Sequence, residues 1–287
     1  MSAVILDGKA LGLKIREEAK ARSAALKITP SLAVVLVGDD PASLAYVISK
    51  EKALSEAGMK SHDIRLSADI KEEALLSIIR DLNGNDKIHG ILVQLPLPEH
   101  INEANIINLI SPEKDVDCFH PFSVGNLVLD RPGFLPCTPN GVLVLLQEYN
   151  IPISGSHVVV VGRSNLVGKP LANLLIRRKY NATVTLCHTG THDIAYHTRQ
   201  ADILVAAAGM PSLIIPNMVK ENAVVVDVGI NRVSDPSAKK GYRLCGDVDP
   251  DVAEKASFFT PVPGGIGPMT IAMLLINVVE AAERSLL

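Results

Sequence analysis

Four consecutive valines, Val158 to Val161, run into Gly162-Arg163-Ser164-Asn165-Leu166-Val167-Gly168 just past the midpoint of the chain. A β-branched, apolar run of this kind suits a strand buried on both faces. After the loop, Lys169-Pro170-Leu171-Ala172-Asn173-Leu174-Leu175 has helical apolar spacing. Strand, glycine-edged turn and helix, in that order, form the element that offers helix amides to a pyrophosphate in dinucleotide-binding folds. Ser164 stands where the G-x-G-x-x-G pattern has its second glycine, and an ordinary strand-to-helix turn has the same outline. The flanking strand and helix favour the cofactor. The chain before about Asn150 is then free to be a substrate domain.

Charge bears on which dinucleotide would bind. An NAD-binding fold places an Asp or Glu near the tip of its second strand to take the ribose hydroxyls. Here that strand reads Ala182-Thr183-Val184-Thr185-Leu186-Cys187 and ends in His188-Thr189-Gly190-Thr191-His192, with no carboxylate. Arg163 and His188, with the hydroxyls of Ser164 and Thr189, would attract a 2′-phosphate instead. The chemistry favours NADP. His192 is read as part of a solvated turn.

A length of 287 residues suits two domains, and 47% apolar content supplies their cores. No uninterrupted apolar run nears the roughly 20 residues of a membrane helix. Met1-Ser2-Ala3-Val4-Ile5-Leu6-Asp7 lacks a basic segment followed by an apolar core, so no signal peptide is expected. A net charge of −3 and a pI near 6.2 argue against a nucleic-acid surface. Cys118, Cys137, Cys187 and Cys245 are widely spaced, as reduced thiols of a cytoplasmic protein would be, and suggest neither a metal site nor a disulfide frame.

The first half alternates helix and strand: a helix over 8–26, a strand at 32–37, and a helix opening at Asp40-Pro41 and stopping at Gly58. A strand at 61–66, a helix at 70–82 and a strand at 90–95 follow. This repeated βα pattern predicts α/β architecture with covered parallel sheets. Residues 111–139 are rich in Pro, Gly and Asp and show little periodicity, which points to a functional segment or a linker. A helix over 140–149 leads to Pro152-Ile153-Ser154-Gly155. Strands near 157–161, 182–187, 202–206 and 223–228 then build a Rossmann-like domain. Phe258-Phe259-Thr260, the loop Pro261–Pro268 and a last helix over 269–284 close the chain.

Several residues suit chemistry yet have plain alternatives. Tyr46 and Lys50, four apart, share one helix face, but so do most solvated Tyr-x-x-x-Lys pairs, and Lys52 is read as solvated. Gln94 ends a buried strand, where α/β sheets place ligand contacts or simply an edge amide. Asp115 and Asp117 could each cap a turn.

Their company decides. Asp39-Asp40-Pro41-Ala42-Ser43 with Tyr46 and Lys50, Val93-Gln94-Leu95-Pro96-Leu97-Pro98, Lys114-Asp115-Val116-Asp117 and Pro136-Cys137-Thr138-Pro139 occur in that order. Val161-Gly162-Arg163-Ser164, Asp227-Val228-Gly229-Ile230-Asn231, Gly246-Asp247-Val248 and Thr260-Pro261-Val262-Pro263-Gly264-Gly265-Ile266-Gly267-Pro268-Met269-Thr270 follow. The chain resembles, nearly end to end, the bifunctional methylenetetrahydrofolate dehydrogenase/methenyltetrahydrofolate cyclohydrolase family. One departure is Cys118, where the family usually has glycine.

The resemblance implies NADP-dependent oxidation of 5,10-methylenetetrahydrofolate, then hydration of the methenyl product to 10-formyltetrahydrofolate. Lys50, in its neutral form, would handle the proton, and Gln94 would hold the amine and the reacting oxygen. Asp117 would accept the paired donors of the pterin edge, and Tyr46 would cover the aminobenzoyl ring. Pro263 and Gly264 would meet substrate. Gly162, Arg163, Ser164, Gly168, His188, Thr189 and the Ile230 backbone would hold NADP. The resemblance further implies a domain of residues 1–139 completed by 268–287 through the returning C-terminal helix, an NADP domain of 140–267, and a homodimer formed through that domain. No metal, nucleic-acid or membrane partner is expected. A two-domain NADP dehydrogenase of the shikimate type, or a non-catalytic binding protein of the same fold, would share the layout. The first would not need the glycine-rich tail loop or the paired Asp segment, and intact Lys50, Gln94 and Asp117 argue against the second.

Overall fold

The computed structural model describes residues 3–238 and 241–287; Met1 and Ser2, which head the N-terminal stretch read for a signal peptide, lie outside the described residues. The chain opens with β1 (Val4–Ile5), α1 (Gly8–Ala25), β2 (Ser31–Val37), α2 (Pro41–Glu56), β3 (Lys60–Leu66), α3 (Glu72–Asn83) and β4 (Gly90–Val93). Three helices follow: α4 (Glu103–Leu109), α5 (Pro121–Val128) and α6 (Cys137–Glu148). Then come β5 (His157–Val161), α7 (Gly168–Leu175), β6 (Thr183–Cys187), α8 (Ile194–Thr198), β7 (Ile203–Ala206) and β8 (Val224–Asp227). The chain closes with β9 (Asn231–Ser234), β10 (Tyr242–Cys245), β11 (Phe258–Phe259) and α9 (Ile266–Arg284).

These elements form two compact units. The first comprises Leu13–Cys137 and Ile271–Leu287. Its sheet has the order β3-β2-β4 and is parallel throughout. β2 is apolar from Leu32 to Val37 and buried along its whole length, as a central strand covered on both faces must be. β3, at the edge, has no fully buried residue and exposes Lys60, His62, Asp63 and Arg65. α2 starts where sequence chemistry places it: the Asp40 carboxylate accepts the Ser43 amide at 2.8 Å, and Pro41 sits in the first turn. α3 turns Leu75, Ile79 and Leu82 onto Ala33, Val35, Ile91 and Val93 of the sheet.

The segment expected to be irregular, 111–139, contains α5 and the start of α6. Pro121 and the His120 ring, whose Nδ1 accepts the Phe122 amide at 3.0 Å, start α5. No apolar stripe announces this helix, because it exposes Phe122 and Val128 while burying Ser123. α4 also lacks a sequence signal beyond its Asn102 cap, being under two turns long.

The second unit comprises Thr138–Thr270 with the N-terminal residues through Gly12. Its sheet, in the order β1-β11-β8-β7-β5-β6, is parallel throughout. From β5 the chain passes to β6 on one side, then returns to β7 on the other. That reversal opens a crevice beyond the C-terminal ends of β5 and β7, the usual ligand position in such sheets. Val158–Val161 and Leu204–Ala206 are at most 1% exposed. β1 pairs with β11, Val4 opposite Phe258, which brings the N-terminal residues through Gly12 into this unit. The sequence boundaries, 1–139 against 140–267, place them in the first domain; a two-residue strand is too short to show a period. The antiparallel hairpin of β9 and β10, another element without a sequence signal, carries Arg232 over the Tyr242 ring at 4.8 Å.

α9 is long and apolar enough, by length and composition, to cross a membrane. Counting uninterrupted apolar runs passes over it, because Asn277 and Glu280 break the run. Within the protein 61% of its apolar window is buried, as in a core helix, with Met269, Ala272, Leu275, Val278 and Val279 at 0% exposure or close to it.

Candidate active site

In the first unit, α2 carries Lys50 to the end of β4. Lys50 is 9% exposed, and its Nζ donates to Gln94 Oε1 at 3.2 Å. Gln94 is fixed in turn: its side-chain amide donates to the Leu95 carbonyl at 2.8 Å, and its backbone amide to Val35 O at 2.9 Å. The oxygen of the Gln94 amide is thereby the end turned toward Lys50. Tyr46 lies one turn earlier on α2 and is 38% exposed. Lys52 is a surface residue, 3.7 Å from Glu56 with three-quarters of its side chain in solvent.

Asp117 joins this group through the loop after β4. Burial raises its pKa; Lys50 and the Cys137 thiol, which donates to Asp117 Oδ1 at 3.5 Å, oppose the shift, while Asp115 adds to it. The thiol is held well above its ordinary range by burial and by Asp117, so it stays protonated and remains a donor. Asp115 does cap the turn: its oxygens accept the amides of Phe119 (3.1 Å) and His120 (2.9 Å). Asn277 of α9 donates to the carbonyls of Val116 (2.7 Å) and Leu135 (2.9 Å), tying the same loop to the helix. Nothing singled out Asn277 in the sequence, although a lone amide between Ile276 and Val278 of an apolar helix was the available signal.

In the second unit the valine run ends in a turn built on two glycines. Gly162 has φ +123°, and a β-carbon there would lie 2.0 Å from the Ala207 carbonyl oxygen. One on Gly168 would lie 1.9 Å from Gly162 O. Both positions exclude any side chain. The Ser164 hydroxyl accepts the amides of Val167 (3.1 Å) and Gly168 (3.4 Å), capping α7 and leaving its own proton to donate. Arg163 and Ser164 are exposed. The Gly162 amide donates to Cys187 O at 2.9 Å, which brings the tip of β6 beside this turn. There His188 Nδ1 accepts the Gly190 amide at 3.0 Å, so the ring proton resides on Nε2 and is available to donate.

Ile230, Pro263 and Gly264 meet at a cavity of about 130 Å³ between the turn Val228–Ile230 and the loop Pro261–Pro268. Gly264 has φ +115°, and a β-carbon on Gly267 would touch Ile230 Cδ1 at 3.3 Å. Gly8 is as constrained as these: its β-carbon would strike Gly265 O at 1.9 Å. Asp227 lies beneath the cavity, pushed up to about 6 by burial against the amides bonded to it.

Two protein-family models cover the chain in turn. The catalytic domain of tetrahydrofolate dehydrogenase/cyclohydrolase matches residues 6–117, and the NAD(P)-binding domain of the same enzymes matches 136–286. The bifunctional protein FolD of Halalkalibacterium halodurans is 56% identical over 288 aligned positions, covering 99% of this chain and all of that one. The chain belongs to the tetrahydrofolate dehydrogenase/cyclohydrolase family. Solved structures agree. The bifunctional dehydrogenase/cyclohydrolase of Campylobacter jejuni superposes with a TM-score of 0.93 at 50% identity, over 99% of each chain. That of Trypanosoma brucei, solved with NADP and an inhibitor, gives 0.95 at 40%, over 100% of this chain and 99% of the other. A shikimate dehydrogenase from Aquifex aeolicus, at 13% identity and a TM-score of 0.53, shares the fold alone. Membership in the tetrahydrofolate dehydrogenase/cyclohydrolase family thus displaces the shikimate-type alternative.

Proposed function

We propose that this protein oxidises 5,10-methylenetetrahydrofolate with NADP and hydrolyses the 5,10-methenyl product to 10-formyltetrahydrofolate. The observation that carries the reading is Lys50, nearly buried, held by Gln94 at 3.2 Å and within electrostatic reach of Asp117. Loss of hydride from the methylene carbon leaves a cation shared by its two nitrogens, a step that calls for positioning. Water addition to that cation releases a proton, and opening of the ring needs one on the departing nitrogen. The Lys50 amine accepts the first and returns the second. Gln94 fixes the amine through Oε1. Asp117, charged, accepts the two donors of the pterin edge, and Tyr46 supplies a flat face to the aminobenzoyl ring.

NADP supplies the hydride acceptor, and the second unit's donor set fits it. The glycine turn leaves room for backbone alone, Arg163 and Thr189 are exposed, and His188 has a free Nε2–H. The carboxylate that follows the β6 tip, Asp193, caps α8 by accepting the Tyr196 amide at 3.0 Å. Arg163, Ser164, His188 and Thr189 would meet the 2′-phosphate, Gly162 and Gly168 the pyrophosphate, and the Ile230 backbone the nicotinamide side, with Pro263 and Gly264 toward substrate. We assign folate binding to the first unit and cofactor binding to the second. We also place the protein in the cytoplasm as a homodimer without nucleic-acid or membrane partners. Its four free thiols and net charge of −3 support that placement.

The hydrolytic half can be tested alone. Supplied with 5,10-methenyltetrahydrofolate and no NADP, the protein should consume the methenyl absorbance well above the uncatalysed rate. A rate equal to that of buffer contradicts the assignment.

A further inference from the structure

Two buried carboxylates behind the cofactor turns have no part in the chemistry described so far. Asp227, at the end of β8, is 1% exposed, and Asp247, just after β10, is 0% exposed. Asp227 Oδ1 accepts the amides of Gly229 (3.0 Å) and Asp247 (2.9 Å), and its Oδ2 accepts that of Val248 (2.9 Å). Asp247 Oδ2 accepts the amides of Ala208 (2.6 Å) and Gly209 (2.9 Å), and its Oδ1 accepts the Asn231 side-chain amide (2.8 Å). Among the described residues the hydrogen-bond partners of both carboxylates are amides. The packing leaves neither carboxylate room to shift. A β-carbon on Gly246 would lie 1.7 Å from Asp227 Oδ2, and one on Gly229 would lie 2.1 Å from Asp247 Oδ1.

Burying two like charges costs stability, and the amides bonded to them offset part of that cost. What the pair secures is position. Ala208 and Gly209 follow Ala207, whose carbonyl abuts Gly162, and the turn after β8 carries Ile230 to the wall of the cavity. Thus the backbones beyond β7 and β8, on one side of the switch point, hang on two side chains. Resting on the reaction proposed above, we propose that Asp227 and Asp247 are a positioning pair for hydride transfer, fixing the turns that carry the cofactor and taking no part in the hydrolysis. The motifs Asp227-Val228-Gly229 and Gly246-Asp247 then read as one interlocked device, each glycine making room for the other segment's carboxylate.

Asp227→Asn is the decisive variant. Its amide satisfies the donors on one oxygen but turns an NH₂ against the third, and all three are backbone amides that cannot reverse. Asp247→Asn is milder, because Asn231 can rotate its side chain to offer an oxygen. For Asp227→Asn, dehydrogenase kcat at saturating NADP should fall about tenfold or more, the effect of leaving a buried donor unpaired. The primary isotope effect with dideuterated methylene substrate should rise, while hydrolysis of supplied methenyltetrahydrofolate stays within about twofold of the parent. Asp247→Asn should move the same readouts in the same direction, less far, and carries the test if Asp227→Asn does not fold. The proposal is overturned if both activities fall together, if dehydrogenase activity is unchanged, or if only the NADP KM moves with the isotope effect constant. A parent enzyme without NADP-linked oxidation would instead defeat the underlying reaction.

Discussion

Cys118 has the backbone angle most at odds with its residue type. Its φ of +61° lies in the left-handed region, which costs a residue with a β-carbon about 1–2 kcal/mol. Its thiol offsets part of this by donating to Phe134 O at 3.1 Å. The loop around it is held by other groups: both oxygens of Asp115 and the amide of Asn277. Cys118→Gly should therefore relieve strain, lose one weak bond and free the unfolded chain, a sum within about 1 kcal/mol of zero. Denaturant unfolding and the KM for folate check this; a KM raised severalfold would show that the thiol, and not Asp115, sets the position of Asp117. At this scale Lys50 and Gln94 stand out only in the company of the other motifs, since alone they read as a solvated lysine and an edge amide. Asp227 and Asp247 appeared in motifs but had no visible task, because an Asp at a strand end reads as an ordinary turn residue until its partners are known.

The β5–turn–α7 element shows how far local pattern reaches. Four buried valines, two glycines that admit no β-carbon and a serine cap could be read as strand, turn and helix, and they are that. Long central strands such as β2 and β5 were legible because burial on both faces leaves an unbroken apolar run. α4, α5, β1 and the β9–β10 hairpin are not, because each is too short to set a hydrophobic period. Within the readable turn, Arg163 is the fixed positive charge. Arg163→Ala should lower the NADP preference over NAD, mainly through the NADP KM, by roughly tenfold at low salt for a lost charge-assisted bond. His188 and Thr189 keep part of the selectivity. Comparing kcat/KM for the two cofactors at saturating folate measures it, and an unchanged ratio would move 2′-phosphate recognition elsewhere.

At the scale of the whole molecule, in the proposed reading, proton handling is assigned to the unit holding Lys50, Gln94 and Asp117, and the cofactor to the unit holding the Gly162 turn and the Asp227–Asp247 pair. No periodic sign shows where Val4–Ile5 pairs, since its partner Phe258–Phe259 lies at the far end of the chain. The most direct test of the account is one time course with 5,10-methylenetetrahydrofolate and NADP, recording NADPH and methenyl absorbance together in the parent and in Lys50→Met. In the parent, NADPH should accumulate while the methenyl signal rises and then decays to 10-formyltetrahydrofolate. In Lys50→Met any NADPH formed should be matched by methenyl product that persists, with its decay no faster than in buffer. Methenyl decay at the parental rate in Lys50→Met, or a parent that forms no NADPH, would contradict the account.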